Sequence, residues 1–239
     1  MSSTNKHALS QPRSCDAMQT YIVLPYEKRR QIPDEFHDDD NRSPESLVEF
    51  FINQFTQPGD LVFDPFTGLG TTLLVAEDMG RVPFGIEVNE QRYEYVRSQL
   101  TMKENIILGD SRNLDTFKLP RIDFVFTSPI FMRRDETENP LSGFKEHGTY
   151  QEYLDQLQDI FRKLRGFLKP GAQVVIEAFN LGATSKRPTT LLAWDIARAV
   201  SGALRFEREI IACWEGIDRG DSPHIYGYNH SYCLMFGPD

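Results

Sequence analysis

Cysteine is scarce: Cys15, Cys213 and Cys233 are the only three among 239 residues. Three scattered thiols cannot build a disulfide framework, so folding is expected to rest on an apolar core in a reduced, cytoplasmic setting. No Cys-x-x-Cys pair is present, so Cys213, Cys233, His224 and His230 do not have the spacing of a zinc set, and no metal is expected. No apolar run approaches the ~20 residues that a bilayer needs. The opening MSSTNKHALSQPRSCD has no apolar stretch behind a basic end, so neither a membrane span nor a secretory leader is expected. Positive charge is also short. Lys and Arg number 26 against 35 Asp and Glu, a formal net charge of −9, so global charge announces no nucleic-acid partner. No period of 20–50 residues repeats, which excludes solenoids and propellers.

What is present is a well-stocked interior. Hydrophobic residues make up 40% of the chain, with 17 Phe and 9 Tyr. Apolar strand candidates alternate with helices: strands at 60–64, 84–87, 105–108, 123–126 and 173–178, helices at 71–79, 90–100, 150–168 and 191–200. Such alternation predicts a mainly parallel sheet with helices on both faces. The closely spaced pair 208–214 and 232–236 predicts an antiparallel edge hairpin. Residues 1–40 read as a polar N-terminal extension, in which Tyr21 to Pro25 is either a short strand or a strap, and its closing run Asp38-Asp39-Asp40 as a solvated entry to the helix that follows. Residues 41–239 read as one α/β domain. Its first helix is expected to start with Ser43 as N-cap and Pro44 at the first position. The helix over 150–168 is expected to stop at Lys169-Pro170-Gly171.

The most informative stretch is Leu61-Val62-Phe63-Asp64-Pro65-Phe66-Thr67-Gly68-Leu69-Gly70-Thr71-Thr72. A buried strand runs into an acid, then a glycine-bearing turn, then a helix. Gly68 and Gly70 let backbone approach a ligand, and Asp64 stands at the carboxyl end of a strand, where open α/β sheets bind ligands. Glu87 closes the next strand, about 20 residues on, at the place of an acid that holds ribose hydroxyls in nucleotide-type folds. Asp110 follows the third strand. The turn lacks a third glycine, and Asp64 would repel a pyrophosphate, so a cofactor with a cationic amine suits it better.

After the fourth strand stands Thr127-Ser128-Pro129-Ile130-Phe131. The first stretch resembles motif I of S-adenosylmethionine (SAM)-dependent methyltransferases. Its form Asp-Pro-Phe-x-Gly-x-Gly-Thr-Thr is similar to the branch that methylates exocyclic amino groups of DNA bases at cytosine N4 or adenine N6. Ser-Pro-Ile-Phe resembles that branch's catalytic turn, Asp, Asn or Ser followed by Pro-Pro and an aromatic, and departs from it at Ile130. Residues 227–236 resemble the family's closing strand more loosely. The resemblance implies one Rossmann-like SAM-methyltransferase domain. It also implies a cofactor site of Asp64, Pro65, Phe66, Thr67, Gly68, Gly70, Thr71 and Thr72, with Glu87 on the ribose, Asp110 near the adenine and Ser43 in the upstream segment that helps hold SAM. Ser128 and the Pro129 carbonyl would accept the target amine's two N–H bonds while Phe131 stacks on the base. Catalysis of this kind rests on positioning and oriented dipoles, and a base within a duplex must first be flipped out.

DNA is the expected partner ahead of RNA. The same architecture also serves RNA amino-methylation, and Ile130 leaves open a non-catalytic SAM-binding regulator. The net charge leaves open small-molecule or protein substrates. Only the loop 132–149 and the segment 215–229 leave room for target recognition, which points to modest specificity, a specificity subunit or a homodimer. Arg133-Arg134 and Lys186-Arg187 lie in loops facing the expected substrate side, as phosphate clamps or as solvated charge.

Overall fold

In a computed structural model, residues 19–215 and 228–238 are described. The sequence predictions for residues 1–18, for His224 and for most of the segment 215–229 lie outside them. Eight strands form one sheet: β1 (Tyr21–Pro25), β2 (Leu61–Asp64), β3 (Val82–Glu87), β4 (Ile106–Leu108), β5 (Ile122–Thr127), β6 (Leu168–Ala178), β7 (Arg205–Glu215) and β8 (His230–Gly237). Their spatial order is β1-β7-β8-β6-β5-β2-β3-β4. The run from β6 through β5 and β2 to β4 is parallel, while β8 is antiparallel to both β6 and β7. The expected α/β fold and its antiparallel pair are therefore present.

Alternation along the strands explains the two helical layers. Val62, Phe124, Phe126, Val175, Cys233 and Met235 face helix α1 (Glu45–Phe55) and helix α2 (Thr71–Asp78). Phe63, Val125, Val174, Ile176, Leu234 and Phe236 face helix α4 (Tyr150–Arg165) and helix α5 (Leu192–Val200). Helix α3 (Glu90–Gln99) packs Val96 against Leu73 and Leu74 of α2. α4 starts with a reciprocal cap: the Thr149 hydroxyl accepts from Glu152 N–H, and the Glu152 carboxylate accepts from Thr149 N–H.

Four expectations need correction. Residues 20–40 are not a separate extension, since β1 pairs in parallel outside β7, and Ile32 and Phe36 pack with Leu69. Asp40, the last acid of that run, is not simply solvated: it pairs with Arg42 at 2.8 Å and Lys28 at 3.4 Å. Ser43 does not cap α1. Pro44 takes the N-cap position, and the Ser43 hydroxyl donates to Glu177. Finally, α4 ends at Arg165, and Lys169-Pro170-Gly171 lies inside β6, where the pairing with β5 shifts register. Arg121 donating to the Gly166 and Leu168 carbonyls at 3.0 and 2.6 Å holds that irregular entry.

Candidate active site

The chain leaves β2 for β3 on one side, whereas β5 pairs on the other. The carboxyl ends of β2 and β5 therefore flank the point where strand order reverses, the place where α/β sheets open a ligand crevice. A cavity of about 590 Å³ lies there. From the β2 side it is lined by Phe66, Thr67, Gly68, Thr71 and Thr72, from the β5 side by Ser128, Pro129, Ile130 and Phe131, and from upstream by Arg42 and Ser43. Two stretches 60 or so residues apart in sequence thus share one wall of space.

The turn after β2 is anchored to the end of β3. Gly68 N–H donates to the Glu87 carboxylate at 2.6 Å, and Asn89 N–H donates to the same carboxylate at 2.8 Å. Gly68 and Gly70 have φ of +56° and +84°, the left-handed region in which a side chain is strained. A Cβ on Gly70 would also stand 2.8 Å from Val96. Gly85 on β3 has a separate reason to lack a side chain, because the Thr67 hydroxyl occupies that space.

Asp64 does not face the cavity as expected. It is 3% exposed and accepts from Phe66 N–H at 2.9 Å and from the Thr127 hydroxyl at 2.6 Å. Its role is to tie the ends of β2 and β5 together immediately before Ser128. Burial pushes its carboxyl up to about 6 despite those hydrogen bonds. Burial likewise raises Glu87 and Glu177, each against the pull of two hydrogen-bond donors.

Asp110 departs from its expected place too. Its carboxylate caps Arg112 N–H and pairs with the Arg112 guanidinium at 2.6 Å, which in turn holds Glu146 at 2.6 Å. Gly109 and Ser111, its neighbours, line instead a narrow slot of about 30 Å³ with Pro65, Glu87, Pro140 and Leu141.

At the β5 turn the Ser128 hydroxyl, half-buried at the cavity wall, makes no side-chain hydrogen bond among the described residues. Ile130 is held in a way the sequence did not suggest: the buried Tyr153 hydroxyl of α4 donates to its carbonyl at 3.0 Å. That bond restrains the backbone where the family pattern has a second proline. Phe131 meets Phe179 edge-on at 5.4 Å.

Of the basic loops, Arg133 is buried and donates to the Gly182 carbonyl, and Arg134 pairs with Asp195 at 2.8 Å and lies over Tyr150. Both are thus engaged by groups of the protein itself. Arg187 reaches the cavity and pairs there with Glu136 at 2.5 Å.

Sequence reasoning missed Glu177 entirely. It is 1% exposed and accepts from Ser43 and from Ser231 at 2.8 Å, bracing the upstream segment against β6 and β8. A glutamate amid an apolar strand was its available signal. Among the described residues no three His, Cys, Asp or Glu side chains cluster to hold a metal ion.

The cavity suits a polar ligand at the start of α2. Thr71 is 6% exposed, lines the cavity, and its hydroxyl has no hydrogen-bond partner. A buried hydroxyl left unpaired costs about 1–3 kcal/mol, and the free N–H groups of the same first turn favour an anionic group. A carboxylate-bearing cofactor such as SAM meets both.

A family model described as DNA methylase matches residues 3–98. The type II methyltransferase M.BglII of Bacillus subtilis is 35% identical over 75 residues, 31% of this chain and 21% of that protein. The DNA adenine methyltransferase YhdJ of Escherichia coli K12 is 37% identical over 78 residues, 33% of this chain and 26% of that protein. The matching segments thus span about a quarter or less of those relatives. Among solved structures, a TehB-like SAM-dependent methyltransferase from Corynebacterium glutamicum superposes with TM-score 0.54 at 13% identity, over 84% of this chain and 91% of that one. An rRNA methylase from Streptococcus thermophilus gives 0.51 at 14% identity, over 82% and 96%. Identities this low show the fold alone. Residues 3–98 thus resemble DNA methylases in sequence, over about two fifths of the chain, and the described residues share a Rossmann-like fold with known methyltransferases.

Proposed function

We propose that this protein is a SAM-dependent methyltransferase acting on an exocyclic amino group of a DNA base, cytosine N4 or adenine N6. The observation that carries this reading is the shared cavity: the Gly68–Thr72 turn and the Ser128–Phe131 turn open into one space at the reversal of strand order. When bound, SAM supplies a methyl group on a sulfonium sulfur. The chain's own residues do the rest. Glu87 keeps a lone pair on each carboxylate oxygen for ribose hydroxyls, since each already takes one backbone N–H. The Thr71 hydroxyl and the start of α2 receive the amino-acid end.

Ser128 and the Pro129 carbonyl are the acceptors available to the target amine. An aromatic amine shares its lone pair with the ring, and two acceptors favour the pyramidal form that attacks carbon. Asp64 acts behind them by fixing Thr127, and Tyr153 by fixing Ile130. Preorganised acceptors of this sort work because nothing must reorient during reaction. Target choice falls to the loop 132–149 or to a partner subunit, and a DNA substrate places the protein in the cytoplasm.

Incubation with methyl-labelled SAM and separate DNA, RNA and protein pools tests the reading. Label in DNA, recovered after hydrolysis as N4-methylcytosine or N6-methyladenine, is the expected result. Label confined to RNA or protein, or to none of the pools, rejects it.

A further inference from the structure

Phe144 combines three features that rarely coincide. Its φ is +63°, the only positive value at a non-glycine among the described residues. Its side chain is 54% exposed, so apolar burial does not offset that strain. It also lines the large cavity. Residues held in sparsely populated backbone regions cluster at ligand clamps, and persist only where surrounding structure over-determines them.

The surroundings here do so. Residues 137–148 form a closed loop, clipped by Gly148 N–H to the Thr137 carbonyl and Asn139 N–H to the Glu146 carbonyl, both 2.8 Å. At its tip a 3-10 turn over Pro140–Ser142 is capped by the buried Asn139, whose side chain accepts from Leu141 N–H and donates to Gln156 of α4. Phe144 N–H donates to the Asn139 carbonyl at 3.1 Å. From outside, the Asp110–Arg112–Glu146 chain ties the loop down. All of this holds one exposed ring at the edge of a cavity.

A planar partner suits such a ring. The neighbouring slot under Pro140 and Leu141, about 30 Å³, holds no more than one or two waters. The large cavity, which Phe144 borders, is the space open to a nucleobase ring. Of the other two aromatics there, Phe131 is engaged edge-on with Phe179, and Phe66 is partly buried against the apolar core. We propose that Phe144 is a nucleobase-stacking contact, which closes the cavity over a base ring. The proposal rests on the methyltransferase reading, and the ring belongs either to the adenine of the cofactor or to the target base.

Two variants test it. Phe144→Asn keeps a residue that tolerates the left-handed conformation while removing the ring. Phe144→Tyr keeps the ring. Calorimetric titration with S-adenosylhomocysteine reads the cofactor side, and KM and kcat for methyl transfer to unmethylated plasmid DNA read the target side. Base–aromatic stacking lost to truncation typically weakens binding roughly 5- to 150-fold. Phe144→Asn is expected to show that loss in one of the two ligands, with Phe144→Tyr near wild type and the melting temperature of Phe144→Asn unchanged or raised. Weaker S-adenosylhomocysteine binding assigns the ring to adenine. A raised KM for DNA with unaltered S-adenosylhomocysteine binding assigns it to the target base. Unaltered values for both ligands overturn the proposal, as does a fall in melting temperature with binding intact, which marks a structural ring. Wild-type protein that neither binds S-adenosylhomocysteine nor methylates DNA removes the underlying reading first, and is seen separately.

Discussion

The turns after β2 and β5 sit side by side, yet they are built in opposite ways. The first spends its backbone N–H groups on acceptors close by: Gly68 on Glu87 at the end of β3, Phe66 on Asp64, Gly70 on the Thr67 carbonyl. The second leaves its Ser128 hydroxyl unbonded at the cavity wall among the described residues and is stiffened from behind, by Asp64 through Thr127 and by Tyr153 through Ile130. A turn that shapes a cradle needs bonds to hold its glycines in the left-handed conformation. On the proposed function, the second turn offers acceptors to a substrate, so it keeps them free and takes its rigidity from neighbours. The difference separates shape from chemistry within one cavity, and substitutions on each side should separate the same way.

Ser128→Ala should show the largest effect. If the hydroxyl is an oriented acceptor for the target amine, kcat falls about 10²–10³-fold while S-adenosylhomocysteine affinity and melting temperature hold. Full activity in this variant would make the β5 turn merely structural and erase the contrast.

Asp64→Asn probes the brace that joins the two turns. The carboxyl is raised from 3.8 to about 6 on folding, so the native state binds more protons between those values. Wild-type stability therefore falls as pH rises from about 4 to 6 and stays lower above it. The amide carries no charge to bury, so the variant should gain up to about 3 kcal/mol relative to wild type at pH 7. Denaturant melts at pH 4, 6 and 7 measure this. The pH slope should shrink without vanishing, because Glu87 and Glu177 are shifted in the same direction. An undiminished slope in the variant would show that Asp64 ionises freely.

Gly70→Ala acts on the cradle alone. A Cβ in the left-handed region costs about 1–2 kcal/mol, and contact with Val96 at 2.8 Å adds to it. We expect a stability loss of about 2 kcal/mol and weaker S-adenosylhomocysteine binding, seen by thermal melting with and without ligand. Unchanged melting would mean that the turn relaxes freely.

Tyr153→Phe is the mildest test. Losing the hydrogen bond to the Ile130 carbonyl should cost about 1 kcal/mol of stability and lower kcat with little change in cofactor affinity. Adding Ile130→Pro should recover kcat by stiffening the same turn. Failure of that rescue would show that Tyr153 supports α4 packing and not the turn.

Much of the molecule was legible before folding. The strand–turn–helix of Leu61 to Thr72, Glu87 at the end of β3 and the Ser128–Phe131 turn all depend on residues close in sequence, and backbone geometry gives Gly, Pro and strand-end acids local meaning. Element type follows from the same cause, since the period of apolar residues is a local property. Partners were not legible. Ser43 reads as a helix cap until Glu177, 134 residues away, takes its hydroxyl. Asp110 reads as an adenine contact until Arg112 carries it to Glu146. The bond from Tyr153 to Ile130 spans 23 residues and appears only once α4 is docked on the sheet. By itself, then, the sequence determined the α/β class, the glycine-bearing turn and the kind of chemistry available at two strand ends. Tertiary structure alone decided which carboxylates face a ligand and which are buried as braces, because a carboxylate seeks whatever donors packing brings near it, and burial leaves it no water as an alternative.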